Sequence, residues 1–267
     1  VSLVPPRGLA LSLPPRGGAG SEPPASSEAA SSEATASSEA ASSEEASAGA
    51  AHYTIGICQL VQHDALDAAT QGFQDALNEA LGEENITWDL QNAQNDTATC
   101  ATITNAFVAS GVDLIMANGT AALQSAQAAT SEIPILGTSI TEYGVALGID
   151  GFDGTVGTNI SGTSDLAPLD EQAAMIQELF PDASTVGLLY CSAEPNSQYQ
   201  VDTVQGYLEE LGYTCTQYAF SDSNDLSSVC QGAADASDVI YIPTDNTAAN
   251  NTELINNICY GKVPVVA

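Results

Sequence analysis

The hydrophobic and polar positions of residues 53–81 follow the order of a strand, a loop and a helix. Residues 54–58 form a short apolar run, residues 59–64 form a predicted loop with the polar residues Gln59, Gln62, His63 and Asp64, and apolar residues then recur at helical spacing as far as Leu81. A short strand that is apolar on both faces is typical of a sheet with helices on two sides. The pattern therefore predicts one β-α unit of an α/β fold.

The same alternation continues to the end of the chain. Further strands are predicted at residues 86–90, 112–117, 133–136, 186–190, 213–220, 239–242 and 263–266, with helices between them that include residues 121–129, 169–180, 198–211, 226–234 and 246–258. Strict alternation of strands and helices indicates parallel sheets joined by right-handed crossovers. Residues 141–165 are different, because they hold several glycines and no helical period, which predicts an irregular crossing.

The chain also repeats itself once, with a period of about 130 residues that is too long for a solenoid. The matching positions are Gly56 and Gly187, residues 71–73 and 205–207, Asp113 and Asp238, and Pro134 and Pro264. A repeat of this length has the size of a domain. We therefore predict a first α/β lobe at residues 52–140, a crossing between the lobes at residues 141–165, and a second lobe at residues 166–267.

Both ends of the chain carry separate expectations. Residues 21–51 repeat Ser-Ser-Glu-Ala, a composition that cannot bury enough apolar surface to offset its chain entropy. Residues 1–51 are therefore predicted to be a disordered leader and linker, or a tether at a membrane surface, without a part in binding. The second lobe ends without elements that return to the first, so the fold is expected to be incomplete and C-terminally truncated.

The charge of the chain excludes several functions. The formal net charge is −31, and Lys262 is the only lysine or arginine after residue 51. This balance argues against nucleic acid, which needs basic side chains to neutralise its phosphates. The sequence also lacks a GxSxG elbow, an HExxH pair and a Walker A lysine. We therefore predict that the protein is not an enzyme.

The six cysteines predict no metal site. No two of them have CxxC spacing, so zinc is not expected, and no cofactor is implied. Cys58 and Cys191 fall on predicted strands and are interpreted as small core residues. An even number of cysteines allows disulfides in an exported protein, but their pairing cannot be deduced from the sequence.

Polar loops follow the predicted strands in both halves of the chain. Ligands of open α/β sheets bind beyond the carboxyl ends of the strands, so facing loops predict a small-molecule site. The candidate ligand-binding residues are Gln59, His63, Asn118, Gly119, Thr120, Thr138, Ser139, Glu194, Asn196, Ser197, Asp245 and Asn246. For Thr120, Ser197 and Asn246, capping of a helix is an equally good interpretation.

Several of these loops resemble one known family. The segments concerned are residues 56–59 with 63–67, residues 159–165, residues 190–197 and residues 240–246. They resemble the solute-binding lipoproteins of ABC importers, in the group associated with tryptophan or tyrosine. The family's usual proline after the first-loop histidine is Asp64 here, and no cysteine that could carry a lipid precedes Cys58.

The resemblance implies a fold, a ligand and a partner. The expected fold has two Rossmann-like lobes of the periplasmic-binding-protein type I, and the expected protein is a monomer outside the cytoplasm, a cell-surface lipoprotein in full length. The resemblance implies that it binds an amino acid, aromatic as in the family, and delivers it to an ABC permease in the membrane. From the residues, we expect helix starts near Thr120 and Ser139 to hold the carboxylate and Asp245 to hold the ammonium group. The alternative is the effector-binding half of a LacI-like regulator or a sensor.

Overall fold

The structure is a computed structural model that describes residues 51–267. The predictions for the leader and the Ser/Glu/Ala linker fall on residues that lie, apart from residue 51, outside this range. Within residues 51–267, none of the helices combines the length and the hydrophobicity needed to cross a bilayer.

The first half of the described chain folds around a five-stranded parallel sheet. Its strands are β1 (Tyr53–Gln59), β2 (Ile86–Asn92), β3 (Leu114–Asn118), β4 (Ile135–Ile140) and β5 (Ile160–Ser164), in the spatial order β2-β1-β3-β4-β5. Its helices are α1 (Asp64–Leu81), α2 (Thr97–Ser110), α3 (Thr120–Ala129) and α4 (Tyr143–Leu147). One apolar core packs between this sheet and α2 and α3, and a smaller one lies beneath α1.

The second half repeats this arrangement around a four-stranded parallel sheet. Its strands are β6 (Thr185–Cys191), β7 (Thr214–Phe220), β8 (Val239–Tyr241) and β9 (Val265–Val266), in the order β7-β6-β8-β9. Its helices are α5 (Leu169–Leu179), α6 (Pro195–Glu210), α7 (Ser223–Ala236), α8 (Asn246–Ala249) and α9 (Thr252–Cys259). The order β7-β6-β8-β9 matches β2-β1-β3-β4, and β5 has no counterpart among the described residues. The two sheets confirm the α/β class and the parallel strands. We call the two halves the first and second lobes.

The repeated aspartates explain part of this symmetry. Asp113 precedes β3 and its carboxylate accepts a hydrogen bond from the backbone of Thr54 at 2.7 Å. Asp238 precedes β8 and accepts from the backbone amides of Ser184 and Thr185, both at 2.9 Å. These bonds hold the pKa of the Asp238 carboxyl low, at about 2. In each lobe, the same residue type fixes the start of the central strand against its neighbour.

The repeated glycines mark a close approach between strand and covering elements. A Cβ at Gly56 would lie 2.7 Å from ring atoms of Phe107, which is buried under β1, and a Cβ at Gly187 would collide with Ser237. Contacts this short do not occur between carbon atoms, so a larger residue would push the covering group away. Glycine at these positions permits the tight packing of both lobes.

Replacing Gly56 with alanine is expected to lower the free energy of unfolding by about 1–3 kcal/mol, because the added methyl group overpacks the site against Phe107. Gly72 provides the matched control, since a Cβ there would meet nothing within 4 Å. Alanine at Gly72, inside α1, should instead stabilise the protein by about 0.5–1 kcal/mol. Denaturant unfolding of both variants tests this, and equal stabilities would contradict it.

Three parts of the secondary structure differ from the sequence prediction. Residues 141–165 hold the short helix α4 and the edge strand β5 instead of only an irregular crossing. The predicted helix 246–258 is broken into α8 and α9 at Asn250 and Asn251, a residue type that bonds to nearby backbone in competition with the helix. Thr138 and Ser139 lie inside β4 and not in a loop after it.

Candidate functional site

The carboxyl ends of the strands meet across the two lobes, and two hydrogen bonds join them there. The Nε2 atom of His63, before α1, lies 3.3 Å from Oδ1 of Asn246. Because Oδ1 can only accept, this geometry assigns the proton to Nε2. The side-chain amide of Asn95, which follows β2, donates to Oγ1 of Thr247 at 2.9 Å. We call His63, Asn95, Asn246 and Thr247 the interlobe bridge.

Glu194 holds the second-lobe half of this bridge. Its Oε1 accepts from the backbone and the hydroxyl of Thr247, both at 2.8 Å. Its Oε2 accepts from the backbone of Asn246 at 3.0 Å and from the side-chain amide of Asn246 at 2.8 Å. Each carboxylate oxygen therefore ends one chain of hydrogen bonds that crosses to the first lobe, one through Thr247 to Asn95 and one through Asn246 to His63. The side chain is only 7 % exposed.

Asp245 lies beside Glu194 and is the N-cap residue of α8. One carboxylate oxygen accepts from the backbone of Ala248 at 2.8 Å, and the other accepts from the backbone of Cys191 at 2.7 Å. Burial, reinforced by the negative charge of Glu194, raises the pKa of the Asp245 carboxyl to about 7, although its hydrogen bonds act in the opposite direction. Both oxygens are thus engaged within the second lobe.

Residues of α6 fix the loop between β8 and α8. The Gln200 side chain accepts from the Thr244 amide at 3.1 Å and donates to its carbonyl at 3.2 Å. Asn196 also donates to the Thr244 carbonyl, at 3.0 Å, and to Ser197 Oγ at 3.3 Å. Asn196 and Ser197 are buried, so these two predicted site residues act here as supports of the loop.

Two predicted residues of the first lobe form a separate internal network. The Gln59 amide donates to Asp67 at 2.6 Å, and its oxygen accepts from Thr70 at 2.6 Å. Asn118 donates to Thr70 at 3.0 Å and to the Leu66 carbonyl at 2.8 Å. Both residues are buried. They hold the first turns of α1 against the ends of β1 and β3, and so position His63.

The other predicted residues of the first lobe lie around β4 and the start of α3. Gly119 precedes α3 with a φ of 104°, and its amide donates to the Thr138 carbonyl at 3.0 Å. Ser139 has a φ of 56° where the pairing of β4 with β5 is interrupted. The helix after Ser139 begins only at Tyr143 and is capped by Glu142. The predicted helix start at Ser139 is therefore wrong, because a bulge continues the strand.

Asn95 and Thr247 were not among the residues singled out from the sequence. Gln94 and Asn95 have φ values of 54° and 62°, a left-handed conformation that asparagine tolerates better than most residues. The backbone amide of Asn95 donates to the Leu60 carbonyl at 2.8 Å. This bond holds the loop against the end of β1. The polar run between β2 and α2 indicates a loop at the site, but it does not indicate which of its residues crosses the cleft.

A large cavity opens beside α8 and α9. Its volume is about 820 Å³, and it is bordered by His63 from the first lobe and mainly by apolar second-lobe residues such as Ile242, Ile255 and Val263. Lys262 also borders it and pairs with Asp235 at 2.5 Å. Among the described residues, no group of three His, Cys, Asp or Glu side chains has the geometry of a metal site.

This architecture defines a class of protein. Two like-ordered α/β lobes meet at the carboxyl ends of their strands, where polar side chains from both lobes converge, which is the usual place for a ligand of such sheets. Over residues 54–267 the chain matches the family of ABC transporter substrate binding proteins. The protein belongs to this family, whose members bind solutes and are not enzymes.

Three relatives place the chain more closely. It is 35% identical over 219 residues to the tyrosine-binding protein of Clostridioides difficile strain R20291, covering 80% of this chain and 62% of that protein. The chain thus spans about three fifths of the length of this relative. It is 30% identical to the ABC domain from Streptococcus pneumoniae in complex with L-Trp, with a TM-score of 0.77, covering 80% of this chain and 73% of the other.

The third relative helps to interpret the arrangement of the lobes. This substrate binding protein with adhesive properties from Clostridium difficile, in its ligand-free open form, is 37% identical over 80% of this chain and 74% of its own, with a TM-score of 0.57. The more similar sequence therefore superposes less well than the structure with bound L-Trp. In the protein described here, the two hydrogen bonds of the interlobe bridge join the lobes at the carboxyl ends of their strands.

Proposed function

We propose that the protein is the extracytoplasmic solute-binding component of an ABC importer and that it binds an aromatic amino acid between its lobes. The observation that supports this best is the interlobe bridge, in which the loops of both sheets meet at the carboxyl ends of their strands. The relatives named for tyrosine and solved with L-Trp favour an aromatic ligand. Family membership favours this function over the effector domain of a regulator.

The ligand's carboxylate needs hydrogen-bond donors other than arginine or lysine. Lys262 already pairs with Asp235 and lies outside the interlobe bridge. The first turn of α3 provides backbone N–H groups without partners inside the helix. The Thr120 hydroxyl lies there and makes no hydrogen bond within the described residues, while the residue is 4 % exposed. We propose the start of α3, with Thr120, as the carboxylate site, and Thr138 and Ser139 as its neighbours.

The ligand's ammonium group belongs on the acidic side of the site. Glu194 and Asp245 lie together at the start of α8, next to Asn246. Glu194 already accepts four hydrogen bonds from Asn246 and Thr247, which is about the capacity of a carboxylate. Asp245 accepts two, from Cys191 and Ala248, and so retains acceptor positions for an ammonium group. A bound cation would also favour the ionised form of Asp245, whose pKa is about 7 in the protein described here.

The transport cycle that follows is a hinge motion. Binding of the solute would stabilise the closed lobes, and an ABC permease would accept the solute from that form. In the full-length protein, a lipid anchor and the acidic linker would hold the monomeric receptor at the membrane surface.

Calorimetric titration of the protein tests this proposal. We expect saturable binding of L-tyrosine or L-tryptophan, weaker binding of L-leucine and none of glucose. Exclusive binding of a sugar would overturn the amino-acid class, and no binding of any amino acid would contradict the receptor function of this chain.

Replacing His63 with alanine is expected to weaken the binding of the preferred amino acid by about tenfold, because the closed form loses one of its two bridging hydrogen bonds. The same loss is expected for Asn95→Ala. Gln71→Ala provides the control, since Gln71 is an exposed residue of α1 that bonds only to Asp75. Equal affinities for all three variants would exclude the bridge from the binding reaction.

A further inference from the structure

We propose that Cys230 and Cys259 form a disulfide that links α7 to α9 under oxidising conditions. Both thiols are free in this structure, and their sulfur atoms are 3.7 Å apart. Both side chains are buried in the same apolar cluster of the second lobe. The sequence leaves the pairing of the six cysteines open, and this geometry identifies Cys230 and Cys259 as one specific candidate pair.

The two sulfur atoms need to move only a short way to bond. A disulfide has an S–S length of about 2.05 Å, so the present separation must shrink by less than about 2 Å. Cys259 is the last residue of α9, an eight-residue helix, and Tyr260 after it is 85 % exposed. Gly261 follows in the left-handed conformation. The end of α9 can therefore adjust without moving the sheet.

An oxidant can reach this pair through the cavity. Cys259 borders the 820 Å³ cavity together with Ile255, Lys262 and Val263. An external disulfide, such as oxidised glutathione, is the required oxidant. The Cys259 thiolate attacks one of its sulfurs and releases one thiol, and the Cys230 thiolate then attacks the Cys259 sulfur and releases the second. Two protein thiols become one disulfide, while the external disulfide is reduced to two thiols.

The other cysteines fit this role less well. The thiols of Cys58 and Cys100 also interact. Cys58, however, lies on β1, which is hydrogen-bonded to a strand on each side, and neither residue borders the 820 Å³ cavity. Cys191 bonds to the Ser221 carbonyl, and Cys215 lies on β7. Cys230 and Cys259 alone combine contact between the sulfurs, a helix end that can move and an adjoining cavity.

The bond would stabilise the part of the second lobe that carries the interlobe bridge. Residues 230–259 include all of α8, and therefore Asn246 and Thr247. Closing a loop of this length restricts the unfolded chain. We expect the oxidised protein to melt about 5–10 °C above the reduced protein.

Peptide mapping of the full chain tests the proposal. The protein is incubated with oxidised glutathione, alkylated and digested without reduction, and a reduced sample is treated in parallel. We expect a linked pair of peptides containing Cys230 and Cys259, and an intact mass lower by about 2 Da, from the loss of two hydrogens. A bond between Cys58 and Cys100 instead, a glutathione adduct without a bridge, or free thiols throughout would each overturn it.

The pH dependence and two variants sharpen the test. Burial, with a contribution from Cys259, raises the pKa of the Cys230 thiol to about 12, although Lys262 opposes this. The closing step should therefore accelerate about tenfold for each pH unit between pH 7 and 9, since it needs the thiolate. Cys259→Ser should remove both the linked peptides and the rise in melting temperature. Cys100→Ser should retain them, and the opposite pattern would contradict the assignment.

Discussion

Replacing Glu194 with alanine is expected to lower the free energy of unfolding by about 3–5 kcal/mol and the melting temperature by about 10 °C. The substitution removes the acceptor for the backbone amides of Asn246 and Thr247 and for both of their side chains. Each buried donor left without a partner costs about 1–3 kcal/mol. The substitution also removes the repulsion between Glu194 and Asp245, which offsets part of this loss. The expected loss of stability is therefore smaller than the sum of the individual costs.

The same variant should also bind its amino acid at least about tenfold more weakly, because Asn246 and Thr247 would no longer be held toward His63 and Asn95. Glu210→Ala is the matched control. Glu210 is an exposed glutamate at the end of α6, so its loss should change neither stability nor affinity appreciably. Thermal unfolding followed by circular dichroism measures the first effect, and a melting temperature within 2 °C of the parent, about 1 kcal/mol or less, would contradict the role of Glu194 as the acceptor for Asn246 and Thr247.

The protein should be more stable at pH 5 than at pH 8, by about 2–3 kcal/mol from Asp245 alone. The pKa of its carboxyl is raised from the ordinary 3.8 to about 7 in the folded protein. The folded state therefore holds the proton more tightly than the unfolded chain. This contribution is complete below the unfolded value and is lost as the pH rises through 7. Carboxyls with lowered pKa values, such as that of Asp238, change the stability of the protein only at more acidic pH.

Asp245→Asn isolates this contribution. Asparagine cannot ionise, so the difference in stability between pH 5 and pH 8 should fall by about 2–3 kcal/mol even if the variant is less stable at both. Glu194→Gln should reduce the pH dependence to a smaller extent, because it removes only the neighbouring charge. Urea unfolding at the two pH values measures both effects. If the difference in stability between pH 5 and pH 8 is the same in Asp245→Asn as in the parent protein, Asp245 is already ionised in the folded protein at pH 5.

The parts of the fold that the sequence predicted are those in which packing leaves a pattern. Gly56 and Gly187 recur because each lies under a covering side chain, and Asp113 and Asp238 recur because each fixes the start of a central strand. The edge strand β5 leaves no such pattern, since only Ile160 of its five residues is buried. Five-residue α4 is too short for a helical period to be recognised.

The sequence predicts which loops meet between the lobes, but not what each of their residues contacts. Glu194, Asp245 and Asn246 do lie together at the meeting of the lobes, as the loops suggested. Gln59 and Asn118 form hydrogen bonds with residues of α1. Spacing along the chain cannot distinguish this supporting role from contact with a ligand. Asn95 depends on a left-handed backbone, and Thr247 on the break between α8 and α9. Asparagine favours both features, but the sequence alone does not show which asparagine adopts a left-handed backbone or interrupts a helix.

The crystal structure of the protein with the amino acid that binds most tightly would show directly where the ligand lies. We expect ligand density between the lobes, with the carboxylate at the start of α3 near Thr120 and the ammonium group on the side of Glu194 and Asp245. Density for the ligand only in the cavity beside α9, bordered by Ile255 and Val263 and away from the start of α3, would contradict this expectation.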